Sequence, residues 1–141
     1  MKINEEDYRL RQKLREFFET HMMARSTFAR KYCPGAQQRI NCLSNDSWPL
    51  SDSFKACLAD ALRSMKQSII HELYCFQYHY NLDHERLLDS CCFTRNRLRS
   101  EMGMYRDQKM EFRSQKRFRF LVEEIMWIIE DIDSLVQQLE N

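Results

Sequence analysis

Three residues in the middle of the chain have side chains that can bind a metal ion. His71, Cys75 and His79 are spaced four residues apart, so an α-helix would place all three on one face. Imidazole and thiolate are common zinc ligands. Two helical turns separate the outer pair by about 12 Å, however, which is too far for all three to reach one ion without distortion. We therefore interpret them as ordinary half-buried side chains and predict no metal site.

Sequence patterns typical of catalysis are lacking. Gly35 and Gly103 are the only glycines, which excludes glycine-rich phosphate-binding loops and the Gly-x-Ser-x-Gly turn of hydrolases. Cys33 and Cys42 do not have the two-residue spacing of zinc knuckles. The sequence therefore predicts a protein that is not an enzyme and has no cofactor.

Charge is segregated along the last third of the chain, although the net charge is only +1. Residues 95–119 carry a large basic excess, whereas residues 120–141 contain acidic side chains and no basic one. A basic surface of this kind can bind phosphates, or it can be ordinary solvated charge on long helices. The basic residues are Arg95, Arg97, Arg99, Arg106, Lys109, Arg113, Lys116, Arg117 and Arg119.

An apolar seam runs along the last predicted helix, with spacings that alternate between four and three residues. This heptad pattern is typical of coiled coils and of helices in bundles. The seam can therefore pack inside its own domain or against a second chain, and the sequence leaves both open. Its members are Phe118, Val122, Ile125, Ile129, Ile132, Val136 and Leu139.

Two large aromatic residues of the same helix lie outside this seam. At about 100° per residue, Phe120 and Trp127 fall on the far side of the helix, among acidic residues. Another helix of this chain must cover them, or a partner does. Because Trp is enriched at the centres of protein interfaces, this pair indicates a binding surface.

The elements that position these residues are predicted to be helices, because two glycines and two prolines provide few turns for strands. We predict one all-α domain over residues 1–141, with about four long helices in an antiparallel bundle and a coiled-coil-like last helix. Apolar spacing predicts a first helix over about 4–32, with an apolar stripe that runs from Leu10 to Met22. The second is predicted from a cap at Ser51 or Asp52 to about 80, the third begins after 83, and the fourth carries the seam. Pro34-Gly35 begins an irregular loop at about 33–52. The third and fourth helices could instead merge into one rod.

The second predicted helix is apolar almost all round from Ile69 onward, where Ile70, Tyr74 and Cys75 fill its other faces. Such a helix is central in a bundle or is covered by a partner.

The compartment is predicted from the lack of targeting signals. The first seven residues resemble neither a secretory signal nor a basic transit peptide, and the longest apolar run, 125–129, is too short to cross a bilayer. We expect an intracellular protein of the nucleus or cytoplasm, with no membrane partner and with reduced cysteines that are mostly buried.

The sequence favours a protein-interaction subunit or adaptor that binds a protein partner, as a homo- or hetero-oligomer, through apolar helix faces. The alternative is a nucleic-acid-associated protein that uses the basic surface at 95–119. The predicted partner-binding residues are Phe118, Phe120, Val122, Ile125, Trp127, Ile129, Ile132, Val136 and Leu139.

Overall fold

Helices make up nearly all of the protein that the computed structural model describes. It describes residues 5–43, 50–78, 84–94 and 116–141, with the backbone alone at 77–78, 84–85 and 116–121. Within these ranges there is no β-sheet, and the all-α prediction is confirmed. In chain order the helices are α1 (Glu5–Thr20), α2 (Arg25–Tyr32), a 3₁₀ turn (Pro34–Ala36), α3 (Gln37–Asn41), α4 (Asp52–Tyr78), α5 (His84–Ser90) and α6 (Lys116–Glu140).

The two longest helices, α4 and α6, pack against each other in antiparallel directions. Ion pairs mark the direction: Lys66 Nζ lies 2.7 Å from Asp133 Oδ1, and Arg63 pairs with Glu140 further along both helices. The apolar seams of the two helices are buried between these flanking charges. Antiparallel packing was predicted for the bundle, and this pair shows it.

Helix α1 packs against α6 and touches the start of α4. Lys13 Nζ donates a hydrogen bond to Gln138 Oε1 at 2.9 Å, so the middle of α1 faces the end of α6. An ion pair of 3.3 Å between Lys55 Nζ and Asp7 Oδ1 places the starts of α1 and α4 side by side. Leu14 and its neighbours on the predicted stripe are buried, so α1 completes a three-helix core.

The predicted first helix is not continuous, because the chain turns after Thr20. Met22 has a φ of 54°, the left-handed conformation that ends many helices. The amide of Met23 donates to Phe18 O at 2.8 Å and that of Met22 to Glu19 O at 3.1 Å, which is the hydrogen-bond pattern of a Schellman cap. Met22 was predicted on the buried stripe, but this turn leaves its side chain 51% exposed.

A similar turn ends α5, where the sequence predicted a longer helix. Cys92 has a φ of 56°. The two turns dock through a short antiparallel bridge between Met23 and Phe93: Ala24 N donates to Cys92 O at 2.9 Å, and Thr94 N donates to Met22 O at 3.0 Å. The predicted third helix therefore ends at Ser90, and residues 95–115 lie outside the described ranges.

The predicted irregular loop contains helical turns in its described part. The 3₁₀ turn and α3 follow Cys33, and they bury Ile40 and Leu43 completely. Residues 44–49, which include Trp48, lie outside the described ranges. Helix α4 begins as predicted, since Ser51 Oγ accepts a hydrogen bond of 3.2 Å from the Phe54 amide.

The second half of α4 is not fully enclosed. Its predicted stripe is buried through Leu73 and Phe76, but Ile70 is 46% and Tyr74 54% exposed. Central burial of the whole helix is therefore contradicted on this face. No helix in the described ranges is long and apolar enough to cross a membrane.

Candidate protein-binding surface

A buried histidine connects the end of α1 to the outer face of α6. His21 is fully buried, and its Nε2 lies 2.6 Å from Asp131 Oδ2. Its ring meets Trp127 edge to face, with 4.7 Å between centroids, and meets Phe17 in the same way at 5.3 Å. The hydrogen bond fixes the orientation of the imidazole, and the imidazole in turn supports one side of the indole. Trp127 is therefore held in place by α1.

The other side of the Trp127 ring faces solvent, and the side chain is 49% exposed. The preceding residue, Met126, is 46% exposed, so two large apolar side chains are exposed at consecutive positions of α6, about 100° apart around the helix. We call Met126 and Trp127 the Trp127 patch. A single exposed apolar residue needs no explanation, but an anchored Trp beside a Met resembles the hot spots of interfaces.

Acidic residues flank Trp127 one helical turn before it and one turn after it. The residues three and four positions before and after Trp127 are its neighbours on the surface of a helix. All four are acidic, and we call them the acidic ring: Glu123, Glu124, Glu130 and Asp131. The patch therefore presents an aromatic face within a negative field, and positive charge in a partner would be attracted to it.

A groove of about 260 Å³ runs from Trp127 between α1 and α6. Its base is Phe17 and Leu135, and its rims are polar. Lys13 is its one basic lining residue, and the amide of Gln138 already accepts a hydrogen bond from that ammonium. The remaining lining residues are Glu16, Thr20, Asp131 and Ser134.

The structure divides the predicted partner-binding residues into separate groups. Ile125 and Ile132 are completely buried, and Ile129 and Leu139 nearly so, all within the core that α6 shares with α4. Val122 and Val136 are half-buried at the edges of that core. Trp127 alone of the described members is exposed. Phe118 and Phe120 lie on the first turns of α6, where only the backbone is described.

The seam of α6 is therefore used inside the chain. Helix α4 covers four residues of the seam and removes their apolar surface from water without a second chain. These residues are Ile125, Ile129, Ile132 and Leu139. These four side chains are covered by the chain itself in this arrangement, and their contact with a partner stays a prediction from sequence. The outer face of α6 remains exposed in the described ranges, and it carries the Trp127 patch.

The residues of the alternative nucleic-acid surface are mostly outside the described ranges. Arg95, Arg97, Arg99, Arg106, Lys109 and Arg113 all precede α6. Lys116, Arg117 and Arg119 lie in its first turns, with only the backbone described. Nucleic-acid binding at 95–119 therefore stays a prediction from sequence.

The three potential metal ligands at positions 71, 75 and 79 are only partly described. Cys75 is half-buried as predicted, whereas His71 is exposed. Cys75 Sγ lies 3.7 Å from His71 Nε2, consistent with positions one helical turn apart. His79 lies outside the described ranges. Within those ranges, no group of three or more potential ligands could hold a metal ion.

Sequence reasoning missed the contact of His21 with Asp131, because 110 positions separate them. A partial signal was present: His21 follows Leu14 and Phe17 at the spacing of the buried stripe of α1. That spacing would have predicted a buried histidine, which requires a polar partner. Nothing in the sequence indicated which carboxylate provides it.

Comparisons with known proteins add no assignment: the chain matches no protein-family model, and no curated protein or solved structure is significantly similar to it.

Proposed function

We propose that this chain is a non-enzymatic helical subunit or adaptor that binds another protein through the outer face of α6. The observation that carries the proposal is Trp127, which is anchored on one side by His21 and half-exposed on the other. An immobilised aromatic ring loses little conformational entropy when a partner covers it, so its burial contributes almost fully to affinity.

The chemistry of the surface indicates a partner segment that is basic and partly apolar. An arginine could stack on the indole while its charge faces the acidic ring, and an apolar neighbour could cover Met126. The acidic ring would repel phosphates at short range, so this face does not suit nucleic acid.

The buried His–carboxylate pair supports binding rather than catalysis. His21 is completely buried under Phe17 and Trp127, so a substrate could not reach its ring in this arrangement. A general base must lie within hydrogen-bonding distance of the proton that it removes. We therefore interpret the pair as support for Trp127.

The test is capture of partners from an extract of the native cells with tagged protein. The bait is compared with Trp127→Ala and with Tyr8→Ala, a matched control because Tyr8 is an aromatic residue of α1 that is 45% exposed. We expect a partner that the unsubstituted bait and the control retain and that Trp127→Ala binds at least tenfold more weakly, or about 1.4 kcal/mol. Equal capture by all three baits would reject the Trp127 patch as the binding surface.

Charge reversal tests the chemistry of the partner. Glu123 and Glu130 are exposed members of the acidic ring, so replacing both with Lys should not disturb the core. The double variant should lose the same partner while its thermal unfolding midpoint is unchanged. Light scattering on the purified chain separates a second copy of the chain from a different protein, since only self-association raises the mass with concentration.

A further inference from the structure

Two cysteines from different helices lie almost in bonding contact. The Sγ atoms of Cys33 and Cys57 are 2.7 Å apart, whereas a covalent S–S bond is about 2.05 Å long. Cys33 ends α2, just before the 3₁₀ turn, and Cys57 lies near the start of α4. All six cysteines lie within the described ranges and none is bridged in the structure. Bond formation here needs a side-chain movement of less than about 1 Å.

We propose that Cys33 and Cys57 are a reversible disulfide site, formed when the folded protein meets a low-molecular-weight disulfide such as oxidised glutathione. The inference is independent of the Trp127 patch, which lies on the outer face of α6. The new bond would tie the end of α2 to α4 and close the intervening stretch, which contains the 3₁₀ turn and α3, into a loop.

The exposure of the two thiols fixes the order of events. Cys33 is only 3% exposed, whereas Cys57 is half-buried and can be reached from solvent. Burial also raises the pKa of the Cys33 thiol to about 12, which disfavours its thiolate. Cys57 is therefore the thiol that attacks first, and Cys33 is the one that resolves the intermediate.

The chemistry balances as two successive thiol–disulfide exchanges. The Cys57 thiol loses its proton to solvent, and its sulfur attacks one sulfur of oxidised glutathione, which releases one glutathione thiolate. The Cys33 thiol then loses its proton, and its sulfur attacks Cys57 Sγ in the mixed disulfide, which releases the second glutathione. The protein loses two electrons and two protons, and the oxidant gains them as two glutathione thiols.

The other cysteines provide contrasts. Cys42 is exposed and follows α3, and Cys75 is half-buried on α4 beside His71, so each can react with the oxidant at its own site. Cys91 and Cys92 are adjacent and buried, and burial raises the pKa of Cys92 to about 12, so neither is accessible as a first nucleophile. Oxidation of the folded protein should therefore select the Cys33–Cys57 pair.

The experiment treats the reduced full-length protein with oxidised glutathione, blocks the remaining thiols by alkylation in acid, and maps cross-linked peptides by mass spectrometry. We expect one peptide pair that joins Cys33 to Cys57, and its removal by dithiothreitol. Because the bond closes a loop between residues 24 positions apart, the unfolding midpoint should rise by roughly 10 °C.

Three variants make the result decisive. Cys57→Ala changes the half-buried partner and should keep the fold, shown by circular dichroism, while it loses both the cross-link and the rise in midpoint. Cys33→Ala should behave in the same way, and Cys42→Ser should keep both effects. The proposal is overturned if folded protein stops at a glutathione adduct on Cys57, if Cys57 stays unmodified, or if the cross-link joins other cysteines.

Discussion

The contact between α4 and α6 and the contact between α2 and α5 depend on different interactions. Where α4 meets α6, two long helices bury continuous apolar seams, and Ile125, Ile128 and Ile132 are completely covered. Where α2 and α5 meet, the helices have eight and seven residues, and specific hydrogen bonds join them. One of these is the 2.8 Å bond from the Tyr32 hydroxyl to Ser90 O, and two more form the Met23–Phe93 bridge.

The difference shows which kind of packing a sequence reveals. A helix of 25 residues such as α6 repeats its apolar spacing many times, so the seam is visible as a pattern and its stability is spread over many side chains. A junction of short helices depends on single turns and single hydrogen bonds that have no period. Substitutions should therefore have large effects at the α4–α6 seam and smaller, more specific ones at the α2–α5 junction.

The largest effect is expected for Ile132→Ala. Ile132 is completely buried between α6 and α4, so its truncation leaves a cavity and should lower the free energy of unfolding by about 2–5 kcal/mol. Urea denaturation measures this loss. Met126→Ala on the exposed side of the same helix is the control and should change stability by less than about 0.5 kcal/mol. Similar losses for both variants would mean that the two faces of α6 contribute equally to stability.

A smaller loss is expected for Tyr32→Phe at the α2–α5 junction. The variant lacks the hydroxyl that donates to Ser90 O, which should cost about 1 kcal/mol of unfolding free energy. Measurement by urea denaturation at neutral pH is sufficient. A loss as large as that of Ile132→Ala would contradict the expected difference in stability between the α2–α5 junction and the α4–α6 seam.

The stability difference between the parent protein and Tyr32→Phe should also depend on pH. Burial raises the pKa of Tyr32 to about 12 from 10.0, so the folded protein disfavours the phenolate. The contribution to stability is fully present below pH 10 and declines as the pH rises from 10 towards 12, because the unfolded chain loses the proton first. The parent protein should lose more stability than Tyr32→Phe as the pH rises from about 10 towards about 12, the interval between the unfolded and folded pKa values. Cys33 and Cys92, whose pKa values are also raised to about 12, are common to both proteins and cancel in the comparison.

The smallest effect, and the only gain, is expected for Met22→Gly. Met22 has a φ of 54° and a half-exposed side chain, so glycine relieves backbone strain and removes little packing. The unfolding free energy should rise by roughly 0.5 kcal/mol. Met22→Ala keeps the strain and should show no gain. If the two variants had equal stability, the left-handed conformation at Met22 would not strain the backbone.

The sequence alone was sufficient to predict the two long helices. Helix α6 was predicted over nearly its whole length because its seam has no interruption, and Trp127 was predicted outside the seam from angular position alone. Helix α4 was predicted with its cap at Ser51 or Asp52. In each case the pattern repeats over several turns, so one unusual residue does not obscure it.

The short elements could not be predicted for the opposite reason. A left-handed helix end is normally signalled by Gly or Asn, but here Met22 and Cys92 adopt it. Each is stabilised by the bridge between the two turns, and that contact joins residues about seventy positions apart in the chain. The contact of His21 with Asp131 was hidden in the same way, since only the folded chain brings the two together.

The Met23–Phe93 bridge also has a mechanical consequence. His21 supports Trp127, the next residue, Met22, accepts a hydrogen bond from Thr94, and the basic segment begins at Arg95. A displacement of the indole can therefore reach Thr94, the residue before this segment, through the His21–Trp127 contact and the hydrogen bond to Met22 O. The two docked turns therefore connect the Trp127 patch to Thr94, which directly precedes the basic segment in the chain.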